Sequence, residues 1–231
     1  MDSAEFDRFA DEYEVRHRAN IAITGESPEF FAAYKIAEFA GFAQEHQAGS
    51  VRILDFGAGI GNSIPFFRRY FPAAQLTCAD PSARSIELSQ QRFAGPEQYT
   101  VLTGREIPHE DGAFDMAFSA CVFHHIPHAE HAHWLAELLR VTRPGGMLTI
   151  FEHNPLNPLT VHAVNSCPFD ENAVMIRAKT LLRSLQDAGW ACAALRYHIF
   201  FPHALKGLRS LEKYLRWVPL GAQYSATAWR P

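Results

Sequence analysis

The stretch "VRILDFGAGIGNSIPFF", Val51 to Phe67, decides how the rest of the chain is read. Val51–Asp55 is an apolar run ending in an acid; Gly57, Gly59 and Gly61 follow, and Ile64 reopens an apolar run. A short buried strand, a tight turn and a helix explain that order. Glycine lets a chain turn through left-handed backbone and lets N–H groups come close to a ligand. The dinucleotide fingerprint G-x-G-x-x-G needs its third glycine at position 62, and that residue is Asn62. The turn therefore departs from the dinucleotide pattern at its third glycine.

The pattern repeats outward from this unit. Ala74–Asp80, Gln98–Gly104, Phe114–Phe123 and Met147–His153 read as strands. Ile64–Phe71, Pro81–Phe93 (opening on Ser82) and Ala129–Val141 read as helices, the last closed by Arg143-Pro144-Gly145-Gly146. Strands alternating with helices predict an α/β fold, a parallel sheet with helices on both faces. Ligands of such sheets bind beyond the carboxyl ends of the strands. Asp55, Asp80, Thr103, Ser119 and Glu152 fall at or near those ends.

Upstream, Phe6, Phe9, Ala10 and Tyr13 form one helical stripe, and Phe30, Phe31, Tyr34, Ala37 and Phe42 form another after Ser27-Pro28. Downstream of a Pro/Asn-rich connection come a helix over Lys179–Ala188, a strand over Trp190–Phe201, a helix over His203–Arg216 and a strand over Ala222–Trp229. The last two strands are expected to pair antiparallel at the sheet edge. The helix before the final strand has an apolar side (Leu205, Leu208, Leu211, Leu215) continued by Trp217, which lines an acceptor site or covers the sheet.

Composition bounds the function. The chain has 231 residues, of which 48% are hydrophobic and 13% aromatic, enough for a sizeable core. A net charge of −4 and scattered basic residues argue against a nucleic-acid partner, which needs a basic footprint. The four cysteines lie far apart with no C-x-x-C spacing, as in a reducing compartment. The polar, acidic N-terminus is unlike a signal peptide, and no run reaches the ~18 apolar residues of a membrane span. The expectation is a cytoplasmic protein with no membrane span.

"TGREIPHEDGAFDMAFSACVFHHIP" (Thr103–Pro127), together with the Gly57–Gly61 turn, Asp80 and "RVTRPGGMLTI" (Arg140–Ile150), resembles the class I S-adenosylmethionine-dependent methyltransferases. Ile107-Pro108, Asp111-Gly112-Ala113-Phe114-Asp115 and His124-His125 carry the match over roughly 51–152. The resemblance implies a seven-stranded Rossmann-like sheet, mostly parallel with an antiparallel edge strand. It implies one methyltransferase domain over 1–231: an N-terminal helical cap over 1–48, a cofactor-binding core over 51–152, and an acceptor-side and C-terminal part over 153–231. It further implies S-adenosyl-L-methionine as methyl donor, S-adenosyl-L-homocysteine as product, and a small-molecule acceptor, partly apolar or lipid-linked.

Carried over residue by residue, the resemblance gives Gly57, Ala58 and Gly59 the methionine portion, with Asp55 orienting the turn. Asp80, followed by Pro81, holds the ribose. Thr103 and Gly104 flank the adenine, Thr103 standing where the family usually has Asp. Ser119, Ala120 and Cys121 line the path to the sulfonium, and Tyr13 folds over the carboxylate. A hydroxyl acceptor needs a general base within hydrogen-bond reach; His153 is the first candidate and His124 the second, because imidazole titrates near neutrality. Glu152, Asn154 and Asn157, in "FEHNPLNP", are candidates for binding the acceptor. The Asn-Pro pairs alternatively just make turns. The histidine run His124–His133 lacks the H-E-x-x-H spacing of zinc hydrolases, so no metal is expected. Another transferase on the same fold, or an inactive cofactor-binding module, is the alternative function.

Overall fold

The computed structural model describes residues 25–44, 51–167 and 170–231. The first helical stripe, with Tyr13, lies outside them. Helix α1 (Pro28–Gln44) precedes β1 (Arg52–Phe56), α2 (Ile64–Tyr70), β2 (Gln75–Asp80), α3 (Ala83–Arg92), β3 (Gln98–Val101) and β4 (Phe114–Ala120). Two 3₁₀ turns, Phe123–His125 and His128–Glu130, lead to α4 (His131–Val141) and β5 (Thr142–His153). Then come α5 (Pro158–Asn165), α6 (Ala178–Asp187), β6 (Ala191–His198), a 3₁₀ segment (His203–Leu211), α7 (Glu212–Leu215) and β7 (Gln223–Trp229).

The seven strands form one sheet in the order β3-β2-β1-β4-β5-β7-β6. β1 pairs parallel with both β2 and β4, while β7 runs antiparallel between β5 and β6. The final strand thus inserts beside β5 and leaves β6 at the edge, antiparallel to its neighbour. Strand order reverses between β1 and β4, which opens a crevice above their carboxyl ends.

Alternation along the strands sorts the core into two layers. Leu54, Phe56, Ala117, Leu148 and Ile150 face Trp134, Leu135 and Leu138 of α4 and Leu181 and Leu185 of α6. Ile53, Met116, Phe118, Met147 and Phe151 face Ile36 and Phe39 of α1 and Ile64 and Phe67 of α2. The layer against α1 is dense in rings, with Phe39 and Phe118 5.4 Å apart and Phe67 edge-on to Phe118 at 5.5 Å. Among the described residues, no helix is long and apolar enough to cross a membrane.

Several elements differ from their sequence expectations for local reasons. β4 stops at Ala120 because Cys121 adopts φ 58°, which turns the chain into the Phe123–His125 turn. β5 begins at Thr142, since the Arg143–Gly146 segment bulges outward within the strand and its register against β4 shifts there. The Pro/Asn-rich connection contains α5: Asn157 caps it by accepting from the Thr160 N–H at 3.0 Å, and Pro158 opens the first turn. His203–Arg216 is 3₁₀ for most of its length, broken at Leu205 (φ −110°, ψ 21°). Its Leu205, Leu208, Leu211 and Trp217 are exposed, Trp217 by 78%, so this apolar side does not cover the sheet.

The matched motifs below the crevice are braces. Arg140 donates to the carbonyls of Ile107 and His109 at 2.8 Å each and to Asp111 at 2.9 Å, while Glu137 accepts from the Ile107 N–H. Asp115 accepts from the Arg52 N–H at 2.8 Å and from Arg143 at 2.7 Å, tying the amino ends of β1, β4 and β5 together. Gly112 at φ 68° supplies the left-handed turn between the two clamps.

Candidate functional site

The turn after β1 is built from left-handed glycines: Gly57, Gly59 and Gly61 have φ of 80°, 52° and 79°. A Cβ on Gly57 would stand 2.2 Å from Val122 Cγ2, and one on Gly61 would stand 2.2 Å from Ser89 Oγ. At Gly59 a Cβ would meet nothing within 4 Å. Two of the glycines are thus demanded by packing within the protein, and the middle one faces open space where a ligand can approach. Gly57→Ala carries both the clash and the left-handed strain, so a fall in Tm corresponding to about 1–3 kcal/mol is expected. Adding Val122→Ala should restore part of it by removing the clash, and thermal melts of both variants check this.

Asp80 locks the turn. Its Oδ2 accepts from the Gly59 N–H at 2.8 Å, and its Oδ1 accepts from the Ser82 N–H at 2.9 Å. The Gly57 and Ala58 N–H groups donate to the Ala79 carbonyl at 2.8 and 3.1 Å, so the turn is stitched to the end of β2. Ser82 in turn caps α3, accepting from Ser85 at 3.0 Å. Pro81 is buried between these groups. Thr103 and Gly104 lie exposed just past β3, beside Asp80, whose carbonyl accepts from the Leu102 N–H at 3.0 Å.

Two buried side-chain oxygens near the strand ends have no hydrogen-bond partner among the described residues: Asp55 Oδ2 and Ser119 Oγ. Burial, and next the Asp80 carboxylate, push the Asp55 acid up to about 8 against the pull of Lys35. The sign for stability follows. The unfolded chain releases this proton near pH 4 and the folded one near 8, so in that window the native state binds more protons. Stability of the free protein should fall as pH rises from about 4 to about 8. Asp55→Asn should remove most of that component, as Tm measured against pH will show.

The acceptor side of the crevice brings together residues distant in sequence. Lys35 of α1, itself buried, places Nζ 3.2 Å from Cys121 Sγ. Gln223 of β7 accepts from the Tyr34 hydroxyl, and its amide nitrogen is 3.7 Å from Cys121 Sγ and 3.4 Å from His153 Nδ1. Burial pushes the Cys121 thiol up, but the Lys35 ammonium and then His153 outweigh it and bring it down to about 6. The Lys35 Nζ–Cys121 Sγ contact therefore sits at the end of β4. Sequence reading passed over Tyr34, Lys35 and Gln223. The available signal was Lys35 within the otherwise apolar "FFAAYKIAEF" stripe.

Glu152 is fully buried and accepts from the Val122 and Phe123 N–H groups at 3.1 and 2.8 Å and from His124 Nδ1 at 2.6 Å. Burial alone would raise the pKa of Glu152 and lower that of His124. Their mutual attraction prevails, holding the carboxylate down and the imidazole up. His124 Nε2 lies 3.4 Å from Asp170 Oδ1, and its side chain is 1% exposed. The Glu152 carboxylate is thus engaged by the fold, and His124, expected as a second candidate base, lies between two carboxylates. Asn154 and Asn157, expected to bind the acceptor, also make contacts within the fold. Asn154 donates to the Gly221 and Pro219 carbonyls at 2.8 and 3.2 Å, and Asn157 donates to the Leu220 carbonyl at 2.8 Å. Both asparagines fasten the 219–221 loop. His153 is half-buried, its ring 5.2 Å from that of His124.

Comparison with known proteins agrees with this arrangement. Residues 54–150 match the family model described as a methyltransferase domain. The chain is 28% identical over 114 residues to a ubiquinone/menaquinone biosynthesis C-methyltransferase of Desulfotalea psychrophila, covering 49% of this chain and 46% of that one. It is 32% identical over 109 residues to phthiotriol/phenolphthiotriol dimycocerosates methyltransferase 1 of Mycobacterium ulcerans, covering 47% and 40%. The chain thus spans about half the length of these curated relatives. A SAM-dependent methyltransferase of Thermotoga maritima shares the fold with TM-score 0.67 at 17% identity, over 99% of both chains. Geranyl diphosphate C-methyltransferase from Streptomyces coelicolor, solved with S-adenosyl-L-homocysteine, shares it with TM-score 0.59 at 16% identity, over 84% of this chain and 79% of that one. With its glycine turn, its acid-tipped second strand and its matched core, the chain carries a methyltransferase domain over residues 54–150 and has the fold of S-adenosylmethionine-dependent methyltransferases.

Proposed function

We propose that the protein transfers a methyl group from S-adenosylmethionine to a small, partly apolar acceptor entering from the α1 and β7 side. The observation that carries this reading is the crevice itself: an open, left-handed Gly59 flanked by Asp80 and by the unpartnered Asp55 Oδ2. The donor supplies an electrophilic methyl on a sulfonium, with its leaving group already activated. The chain's task is alignment, and proximity with orientation is worth up to about 7–11 kcal/mol of barrier.

In this reading Gly57, Ala58 and Gly59 cradle the methionine portion and Asp80, next to Pro81, accepts from the ribose hydroxyls. Thr103 and Gly104 flank the adenine. Ser119, Ala120 and Cys121 form the wall toward the reacting carbon. Asp55, once the cationic donor is near, holds its charge more readily. His153 stands at the acceptor side as general base, since His124 is enclosed.

Two features support a partly apolar acceptor. A cavity of about 190 Å³ between α1, β6 and the C-terminal segment is lined by Phe30, Tyr34 and Tyr197, with Arg209 and Arg216 at its wall. Exposed Leu205, Leu208 and Trp217 belong to the same C-terminal segment that supplies Arg209 and Arg216 to the cavity. Among relatives, the named activities include methylation in ubiquinone/menaquinone biosynthesis and on phthiotriol/phenolphthiotriol dimycocerosates.

The test is incubation with methyl-labelled S-adenosylmethionine and a cell extract fractionated by polarity, with products identified by mass. Label in a small apolar product supports the reading; binding of the donor without transfer to any fraction favours an inactive module. For the product so identified, His153→Ala should lower kcat by about 10²–10⁴-fold with little change in donor affinity. Unchanged turnover would remove His153 as the base.

A further inference from the structure

Asp170, which no sequence motif singled out, lies against the His124-His125 pair. Its Oδ1 is 3.4 Å from His124 Nε2 and 3.4 Å from His125 Nε2. The two imidazole rings are tilted by 42° with centroids 4.1 Å apart, and the three ligand atoms lie within 4.8 Å of one another. We propose that His124 Nε2, His125 Nε2 and Asp170 Oδ1 form a binding site for one divalent first-row transition-metal ion of the zinc type.

The spacing carries the argument. Zinc binds imidazole nitrogen and carboxylate oxygen at about 2.0–2.2 Å, usually as a tetrahedron. The edge of a tetrahedron with such bonds is about 3.3–3.5 Å, and both measured nitrogen–oxygen separations equal that edge. A direct charge-assisted N–H···O contact closes instead to about 2.7–2.9 Å. The carboxylate of Asp170 is thus set at a distance from both imidazoles at which one ion is shared.

The outer shell is also in place. A metal-binding histidine characteristically donates its second ring N–H to a carboxylate, which fixes the tautomer and aims the other nitrogen at the ion. Glu152 occupies that position, 2.6 Å from His124 Nδ1, and is itself anchored by two backbone N–H groups. Two imidazoles with one carboxylate suit zinc, cobalt or iron(II) in preference to magnesium or calcium, which favour all-oxygen shells. Nearby His131 does not belong to this set: its Nε2 is held 2.9 Å from the Phe123 and Ile126 carbonyls.

Three protein ligands leave the fourth position of a tetrahedral ion for water or for a ligand oxygen. The His124 ring is 5.2 Å from the His153 ring, so that position is adjacent to the acceptor side. Resting on the methyl-transfer reading, the ion would anchor an oxygen-bearing acceptor and help ionise it. The existence of the site does not rest on that reading.

The test uses tag-free full-length protein and zinc chloride in calorimetry, with cobalt(II) substitution read by visible absorption. The expected result is one equivalent bound, with tetrahedral-type cobalt bands. His125→Ala and Asp170→Asn, both folded by circular dichroism, should each weaken binding by tenfold or more, and Glu152→Gln should weaken it by about 10–100-fold. Exposed His128→Ala should leave it unchanged. No stoichiometric binding, or binding that survives in His125→Ala/Asp170→Asn, overturns the proposal and leaves the cluster as an ion-paired brace. A parallel titration with S-adenosylmethionine of the metal-free protein separates this failure from failure of the methyl-donor reading.

Discussion

Asp80→Ala should abolish binding of S-adenosylmethionine at micromolar concentrations while the sheet stays folded. Asp80 performs two tasks at one position. It orders the glycine turn through Gly59 and the entry to α3 through Ser82, with both carboxylate oxygens engaged. In the proposed complex the remaining lone pairs accept from the ribose. A hydrogen bond to a charged partner contributes about 1.5–3 kcal/mol, so losing two costs about 3–6 kcal/mol, or roughly 10²–10⁴-fold in Kd. Asp80→Asn separates the tasks, because one amide oxygen can still serve the turn while the charge is gone. Its loss of affinity should fall between wild type and Asp80→Ala. Calorimetry with the donor and with S-adenosylhomocysteine measures both variants. Affinity within threefold of wild type in Asp80→Ala would show that the ribose lies elsewhere.

Glu152→Ala should be the most destabilising single substitution at the crevice. Removing the carboxylate leaves the Val122 and Phe123 N–H groups without their acceptor and leaves the His124 imidazole in a buried site with only Asp170 opposite. Breaking a buried charge pair from one side costs about 3–5 kcal/mol. For a chain of this length that corresponds to a fall in Tm of roughly 10 °C. Glu152→Gln keeps an acceptor for the two backbone groups and should lose much less. Equal losses in the two variants would mean that the charge on Glu152 carries the whole effect and that its two backbone contacts contribute nothing. Thermal melts at neutral pH decide between these outcomes.

The difference between Glu152 as expected and Glu152 as found shows where sequence reading stopped. An acid at the end of a parallel strand is correctly placed at the ligand edge by period-two counting. Which way it points depends on the phase of that count against the two helical layers. Glu152 shares the phase of Leu148 and Ile150, which face α4 and α6, whereas His153 takes the phase of Phe151 and turns toward α1. The Asn-Pro pair at Asn157 was legible as a break. Its use as a helix cap with Pro in the first turn was equally legible from residue preferences, but turn chemistry and cap chemistry use the same residues.

Long-range partners were out of reach for a different reason. Lys35 meets Cys121, Tyr34 meets Gln223, and Asp170 meets His124 and His125 across the whole topology. Each pair is set by strand order, and the insertion of β7 between β5 and β6 is what brings Gln223 beside His153.

What the sequence alone determined about this protein is local: the period-two and helical stripes, the glycines that left-handed backbone requires, and the acids at strand ends. Those features suffice for the parallel α/β sheet and the donor crevice, because that crevice is made almost entirely within successive strand–turn–helix units. The acceptor side was decided by tertiary structure. Its walls come from α1, the end of β5, the 170 region and β7, segments with no local signal in common. Only packing onto the two faces of one sheet fixes which of their polar groups are buried together and which are already spent on the fold.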